Sequence, residues 1–412
     1  MGGAPVVPSR EPSFSQYGSG PQNVNHGNGN QFNNNASALQ ANYSNVYCSV
    51  TDDTRNAQCL RDLCQTDPRH DKKRIQEAKG GLLKDSYQWV LGHDSFRQWR
   101  DDPDTQLLWI KGDPGKGKTM LLCGIIDELK SQHGDRVSFF FCQATEGRLR
   151  NATSVLRGLI YILVCQNEHL ISYLREKYDH AGSLLFEDGN AWVALCEILT
   201  TMLQDPNLNT PILIVDALDE CEGNRDWLLD FISRPSRAKW IVSSRNWPAV
   251  EERLNRAEQK IRLHLELNED SISQAVNVYI RYQVNQLAKD KGYTAKIKDN
   301  VQSHLENNAH GTFLWVGLVC QELRKVLKLQ TLDKLKTFPP GLDSLYARMM
   351  GQIHGLEYGD LCKEVLATVS VVHRTITLDE LKYLAEAFDG LDRSDLDITL
   401  DPIKRGWGPI VK

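Results

Sequence analysis

A glycine-rich segment carries the most specific chemical pattern in the sequence. It fits G-x-x-x-x-G-K-[ST], in which backbone N–H groups and a lysine bind the phosphates of a nucleotide. Its eight residues are Gly112, Asp113, Pro114, Gly115, Lys116, Gly117, Lys118 and Thr119. We expect Lys118 to reach the β- and γ-phosphates and the Thr119 hydroxyl to be a ligand of Mg²⁺. The sequence therefore predicts a nucleotide-binding loop over 112–119.

The segments on either side of this loop are of the types that its chemistry requires. The run Leu-Leu-Trp-Ile at 107–110 is typical of a buried strand, and the apolar segment 119–126 is typical of the start of a helix. A helix that begins directly after the loop adds the partial positive charge of its N-terminus to the phosphate site. The order of strand, loop and helix supports a nucleotide site over an accidental glycine-rich turn.

A cluster of acids follows a second apolar run. The segment 211–216 predicts a central parallel strand that ends at Asp216, a candidate ligand for Mg²⁺. Asp219 and Glu220 follow it and are candidate catalytic residues, because either could orient or deprotonate a water molecule. The alternative is that these two acids only begin a solvated loop.

Arg245 is the third candidate catalytic residue. It ends the segment Trp-Ile-Val-Ser-Ser-Arg, which predicts another short strand. If this strand lies beside the strand that ends at Asp216, Arg245 faces the crevice where open α/β sheets bind ligands. Its guanidinium could then sense or neutralise the γ-phosphate. An ordinary surface arginine is the alternative.

These motifs resemble those of a known family. The blocks GDPGKGKTMLLCGII, FFFCQAT, ILIVDALDECEG and WIVSSRNWP are similar to the NACHT nucleotide-binding domain of fungal NOD-like receptors, which are STAND ATPases related to heterokaryon-incompatibility proteins. The later motifs GTFLWV and FPPGL resemble the helical-domain and hinge motifs of the same proteins, and the likeness extends over about 59–390. The resemblance implies an ATP- and Mg²⁺-dependent switch, and it adds Pro339 of the hinge motif to the nucleotide-binding residues.

The predicted fold is an α/β P-loop NTPase, a parallel sheet flanked by helices, followed by a helical domain and a partial winged-helix domain. We expect a disordered Asn- and Gly-rich segment over 1–47, a helical lead-in over 48–100, the NACHT domain over 101–267, the helical domain over 268–337 and the partial winged helix over 338–412. Relative to the family, the chain stops before any sensor repeats, as a C-terminally truncated or naturally short form would.

Composition narrows the class of protein. The chain has 412 residues, a net charge of −5 and ten cysteines without C-x-x-C pairs. No run approaches the roughly 20 apolar residues of a membrane span, and nothing suggests a signal peptide. We therefore expect a cytoplasmic protein with no nucleic-acid or membrane partner of its own. The cysteines at 123, 142, 165, 196 and 320 lie in apolar segments and are predicted to be reduced core residues.

The segment 18–35 has a second potential function. Two amide-rich blocks surround Val24 and Phe32, with glycines between them and almost no charge. Such segments can stack into cross-β assemblies through Asn and Gln ladders. The segment resembles the amyloid signalling motifs with which fungal NOD-like receptors template an effector protein that carries a matching motif. The alternative is a flexible Asn-rich tail.

The interpretation that unites these features is a nucleotide-switched signalling ATPase that self-assembles when ATP replaces ADP and hydrolyses ATP slowly. GTP remains an alternative, although the guanine-reading motif N-K-x-D is missing. A different class of function is a non-catalytic adaptor or decoy that acts through its N-terminal segment. A metabolic P-loop kinase is disfavoured because no second-substrate pocket or lid is recognisable.

Overall fold

The structure is a computed structural model that describes residues 52–187, 189–354 and 359–371, with isolated positions at 380, 381 and 383. The described residues from Thr54 onward belong to one compact unit. The Asn-rich segment over 1–47, its motif at 18–35 and most of the chain after 371 lie outside the described residues. The predictions made for those parts are not addressed by the fold.

A five-stranded parallel sheet forms the centre of this unit. Its strand order is β2-β3-β4-β1-β5. The strands are β1 (Leu107–Lys111), β2 (Val137–Phe141), β3 (Ile212–Asp216), β4 (Lys239–Ser244) and β5 (Lys260–His264). The strands β1, β2 and β3 are buried along their whole length, as apolar strands of parallel sheets covered on both faces usually are.

Helices cover both faces of the sheet. The first part of the chain forms α1 (52–63), α2 (Pro68–Ala78), α3 (Lys84–Leu91) and α4 (Asp94–Asp101). Between the strands lie α5 (Lys118–His133), α6 (Ala152–Gln166), α7 (Ile171–Ala181), α8 (Ala191–Leu203), α9 (Arg225–Ile232) and α10 (Pro248–Leu254). Alternate strand residues enter two separate cores: Leu108 and Ile110 pack with α5, whereas Leu107 and Trp109 pack with α6 and α8. The predicted sheet with helices on its two faces is confirmed.

A helical region follows the sheet. It contains α11 (Glu269–Lys291), α12 (Ala295–Asn308), α13 (Phe313–Lys325) and α14 (Thr331–Lys336), and then α15 (Leu342–His354) and α16 (Gly359–Val371). The chain turns between α14 and α15 at Pro339 and Pro340, which cannot continue a helix because proline lacks an N–H and fixes φ.

The strand register brings the predicted site residues to one edge of the sheet. β3 and β4 are parallel neighbours, so Arg245 directly follows a strand adjacent to the one that ends at Asp216. Lys111, the last residue of β1, pairs with Ser244 at the end of β4. The carboxyl ends of these strands and the loop at 112–117 therefore lie at the same edge, as ligand crevices of open α/β sheets require.

One part of the cysteine prediction is wrong. Cys123, Cys142 and Cys320 are buried in the core as expected, but Cys165 and Cys196 are only partly buried. Cys165 is the penultimate residue of α6 and Cys196 lies near the middle of α8. An apolar neighbourhood in sequence does not guarantee that a helix turns a given position inward. All nine cysteines in the described part of the chain are free thiols.

The helical lead-in is held tightly against α5. A Cβ atom on Gly124 of α5 would overlap the ring of Tyr87 in α3, so only glycine fits at this crossing. Lys72 of α2 also forms an ion pair with Asp127 of α5 at 2.6 Å. These contacts fix the lead-in helices to the helix that follows the nucleotide-binding loop.

We predict that Gly124→Ala lowers the free energy of unfolding by about 1–3 kcal/mol, because the added methyl group overpacks a filled contact. Gly351→Ala is the matched control, since Gly351 is also helical but has open space around its Cβ position. That substitution should raise stability by about 0.5–1 kcal/mol through the better helix propensity of alanine. Urea unfolding followed by circular dichroism measures both, and equal effects would contradict the close packing of α3 on α5.

Candidate functional site

The nucleotide-binding loop has the backbone geometry that its glycines permit. Gly115 and Gly117 have φ angles of 78° and 84°, in the left-handed region that favours glycine. A Cβ atom on Gly115 would lie 2.9 Å from Cβ of Leu314, and one on Gly117 would lie 2.8 Å from Cδ2 of Phe313. Conformation and space therefore both require glycine at these two positions.

The helix α5 begins at Lys118, so its first N–H groups lack intrahelical acceptors and face the loop. The Nζ atom of Lys118 donates to the carbonyl oxygens of Gly112 at 2.6 Å and Asp113 at 3.1 Å. Burial lowers the pKa of Lys118, and the nearby carboxylates of Asp219 and Asp216 oppose that shift. A buried ammonium group that donates to neutral carbonyls is well suited to donate to a phosphate oxygen.

Asp113 connects the loop to two other segments. Its backbone N–H donates to Oε1 of Glu266 at 2.5 Å, and its Oδ1 atom accepts from Nδ2 of Asn246 at 2.9 Å. Glu266 lies between β5 and α11, and Asn246 follows β4. Sequence reasoning missed both residues, because they lie more than 100 positions away from Asp113.

Asp216 is buried at the end of β3. Its Oδ1 atom accepts a hydrogen bond from Oγ of Ser243 at 2.5 Å, and the Thr119 hydroxyl is a second hydrogen-bond partner. Burial raises the pKa of Asp216, while these two hydrogen bonds partly offset the shift. Ser243 also accepts from the backbone N–H of Ala217 at 2.9 Å. Thr119 and Asp216, the two predicted magnesium ligands, therefore lie together, and Ser243 fixes the carboxylate.

Asp219 and Arg245 form the best-defined ion pair of the site. The Oδ1 atom of Asp219 accepts from the backbone N–H of Arg245 at 2.9 Å, and its Oδ2 atom forms an ion pair with Nε of Arg245 at 3.1 Å. The Asp219 carboxylate is almost completely buried, whereas about half of the Arg245 side chain is exposed. This geometry makes Asp219 the residue that orients Arg245, because both of its oxygens are already engaged.

Glu220 is the freer of the two acids. Its Oε1 atom lies 3.5 Å from Nη2 of Arg245, and its Oε2 atom accepts weakly from the backbone N–H of Ala144 at 3.4 Å. Burial raises the pKa of Glu220, and repulsion from Asp219 and Asp216 raises it further. A carboxyl group with a raised pKa is better matched to proton transfer near neutral pH than an ordinary glutamate.

Two predicted binding residues, Lys116 and Pro339, form hydrogen bonds with the helical region. The Nζ atom of Lys116 donates to the carbonyl oxygen of His310 at 3.2 Å. Pro339 lies between α14 and α15, and its carbonyl oxygen accepts from Nε1 of Trp315 at 3.0 Å. Pro339 is therefore connected to the loop through α13, and its contact with a nucleotide stays a prediction.

The residues present fit a nucleotide with Mg²⁺. The glycine cradle, the buried Lys118 and the N-terminus of α5 supply the groups that bind phosphates. No cluster of three or more His, Cys, Asp or Glu side chains suited to a metal occurs among the described residues. Thr119 and Asp216 suffice for Mg²⁺, which usually keeps several waters and phosphate oxygens as ligands.

Comparisons with known proteins agree with this site. A family model described as Nephrocystin 3, N-terminal, matches residues 85–245, which include the nucleotide-binding loop, the acid cluster and Arg245. The vegetative incompatibility protein HET-E-1 of Podospora anserina is 57% identical over 357 residues. This chain is a HET-E-like NACHT protein. The aligned region covers 85% of this chain but only 26% of the HET-E-1 protein. This chain therefore corresponds to about a quarter of that relative, and the similarity does not assign the activity of the whole relative to this chain.

Two solved structures show a more distant likeness. They are the structure of C. elegans PCH-2, at 12% identity over 68% of both chains, and that of a DNA replication initiation factor, at 11% identity over 77% of this chain and 88% of the other. The TM-score is 0.33 in each case, which is too low to support an argument about fold or function.

Among the described residues, no helix is both long enough and apolar enough to span a bilayer.

We predict that Ser243→Ala lowers the affinity for Mg²⁺ in the presence of nucleotide by about tenfold, because it removes a hydrogen bond to a charged acceptor, the Asp216 carboxylate. The Ser243 hydrogen bond lowers the pKa of Asp216, which burial raises, so its removal raises that pKa further. Because a protonated carboxyl does not bind Mg²⁺, the loss should be larger at pH 6 than at pH 8. Titrating Mg²⁺ against a fluorescent nucleotide at both pH values measures the effect. The control is Ser138→Ala, because Ser138 is also buried but donates to the Leu159 carbonyl, away from the site. This variant should keep the wild-type affinity for Mg²⁺.

Proposed function

We propose that this protein is a nucleotide-controlled signalling ATPase that acts in heterokaryon incompatibility, as the name of its HET-E-1 relative suggests. In this proposal it binds ATP with Mg²⁺, hydrolyses ATP slowly and assembles with copies of itself in the ATP state. GTP is the alternative nucleotide.

The observation that carries the proposal is a turn that contacts both the nucleotide-binding loop and the hinge. The turn joins α12 to α13 at residues 309–312 and is taken here together with the helical residues that border it, 308 and 313–315. On the loop side, the backbone N–H of Leu314 donates to the Gly115 carbonyl at 3.4 Å, in addition to the contact of Lys116 with His310. In this proposal, binding of phosphates at the loop acts on the start of α13 through these contacts.

The same turn holds the hinge motif. The backbone N–H of Gly341 donates to the carbonyl oxygen of Asn308 at 2.9 Å. A Cβ atom on Gly341, whose φ angle is 74°, would lie 3.1 Å from Nδ1 of His310. Trp315 adds its hydrogen bond to Pro339. A displacement of the turn by nucleotide would reach α15 through the hinge, which is the kind of two-state element a switch requires.

Each side chain of the site has a defined task in this proposal. Lys118 binds phosphate oxygens, Glu220 takes a proton from water, and Arg245, oriented by Asp219, compensates negative charge. Bound Mg²⁺ would supply charge neutralisation of the phosphates, with Thr119 and Asp216 as its protein ligands. Slow turnover suits a switch, because the time between binding and hydrolysis sets the length of the signal.

We expect Lys118→Ala to abolish nucleotide binding without unfolding the protein, and Glu220→Gln to bind Mg·ATP with nearly normal affinity but hydrolyse it at least tenfold more slowly. Asp216→Asn should instead weaken the dependence on Mg²⁺. Fluorescent-nucleotide titration and phosphate release measure the two properties. Wild-type affinity in Lys118→Ala, or wild-type rates in both acid variants, would favour the adaptor or decoy hypothesis.

The N-terminal segment provides the output in this proposal. We expect a peptide of residues 18–35 to form cross-β fibrils with a strand repeat of about 4.7–4.8 Å, and to convert a matching effector segment on contact. Assembly of the full chain would raise the local concentration of this segment and so favour nucleation. Proline at positions 31 and 32 should block fibrils without changing nucleotide affinity. Fibre diffraction and thioflavin fluorescence test this, and a peptide that stays monomeric would leave the segment as a flexible tail.

A further inference from the structure

A tight turn directly follows Arg245. The backbone N–H of Trp247 donates to the Arg245 carbonyl at 2.9 Å, which is the i to i+2 hydrogen bond of a γ-turn centred on Asn246. Pro248 then begins α10 with its fixed φ angle. Because the turn is short and is closed at both ends, a contact made by the Asn246 side chain also restrains the backbone of Arg245.

The Asn246 side chain is bonded to the nucleotide-binding loop. Its Nδ2 atom donates to Oδ1 of Asp113 at 2.9 Å. Asp113 is itself held at both of its backbone polar groups, because its N–H donates to Glu266 and its carbonyl oxygen accepts from Nζ of Lys118 at 3.1 Å. The Asp113 carboxylate therefore extends from a backbone that is fixed on both sides.

Phosphate binding does not by itself account for a carboxylate at position 113. The backbone N–H groups of the loop and Lys118 attract phosphates, whereas a carboxylate repels them. Within the described ranges, Asp113 forms no ion pair, and the hydrogen bond of its carboxylate is the one with Asn246. The contact with Asn246 thus gives this carboxylate a task that the phosphates do not.

Arg245 is a side chain for which such a restraint matters. Asp219 fixes its backbone N–H and its Nε atom, but about half of the side chain is exposed, and Nη2 lies 3.5 Å from Oε1 of Glu220. A guanidinium that compensates charge on a phosphate must be placed to within a fraction of an ångström. Asp219 holds Arg245 itself, and the Asn246 bond holds the residue that follows it.

We propose that Asn246 is a positioning residue for the hydrolysis reaction. Its hydrogen bond with Asp113 ties the backbone of Arg245 to the nucleotide-binding loop, so that the guanidinium keeps a fixed position relative to the phosphates. Lys118 donates to the same Asp113, and the position of Arg245 therefore also depends on what Lys118 binds. The inference rests on the proposed function, because it states how one of the groups in that proposal is placed.

The experiment exchanges the two polar groups of this bond. Asn246→Asp keeps the shape of the side chain but sets a second carboxylate against Asp113, so the bond is lost and the two groups repel each other. Phosphate release at saturating Mg·ATP should become about tenfold slower, while the affinity for Mg·ADP stays within about threefold. Adding Asp113→Asn restores an amide opposite a carboxylate, with donor and acceptor reversed, and should recover most of the lost rate.

A second measurement asks whether Asn246 acts through Arg245. In a chain that carries Arg245→Ala, adding Asn246→Asp should slow phosphate release by less than about twofold, because the two changes affect the same interaction and are not additive. The control is Asn285→Asp, which makes the same chemical change on an exposed residue in the second half of α11. This variant should hydrolyse ATP at the wild-type rate.

The outcomes separate this inference from the function on which it rests. A wild-type rate in Asn246→Asp overturns it, and so does a double exchange as slow as Asn246→Asp, since the new charge alone would then be the cause. Further slowing by about tenfold in the Arg245→Ala chain, or a large loss of Mg·ADP affinity in Asn246→Asp, also contradicts it, and in each case the ATPase stands. Phosphate release that does not depend on Lys118 overturns both.

Discussion

The structure depends on the direct contact between the nucleotide-binding loop and the first turn of α13. Gly115 and Gly117 have no room for a Cβ atom because Thr312, Phe313 and Leu314 occupy that space. The loop binds phosphates and is also covered by the start of α13. Its conformation therefore cannot change independently of the helical region, since packed interfaces shift between discrete arrangements. The site and the helical region are consequently one mechanical unit.

Burial sets the electrostatic character of the site. It disfavours the charged form of every group it covers, so it lowers the pKa of Lys118 and raises the pKa of Asp216 and Glu220. A ligand that brings both phosphates and Mg²⁺ relieves these costs at the same time, because each buried group gains a partner of opposite charge. Nucleotide and metal are therefore expected to stabilise the folded chain together.

The sequence predicted local features well and distant partners poorly. Apolar runs identified β1 and β3, and the glycine pattern and acid cluster located Lys118, Asp216 and Arg245 correctly at one edge of the sheet. Ser243, Glu266 and His310 were missed because nothing near them in sequence marks their contacts, which span from 27 to 194 positions. β5 also escaped notice, since its charged residues alternate with only two apolar ones in an edge strand.

The glycine contact between α3 and α5 has a consequence for how force passes through the molecule. Because Tyr87 sits against Gly124 without a gap and Lys72 is bonded to Asp127, the lead-in helices and α5 act as one stiff arm that ends at Lys118. A displacement of α2 or α3 is therefore passed to α5, and so to the phosphate-binding loop at its N-terminus.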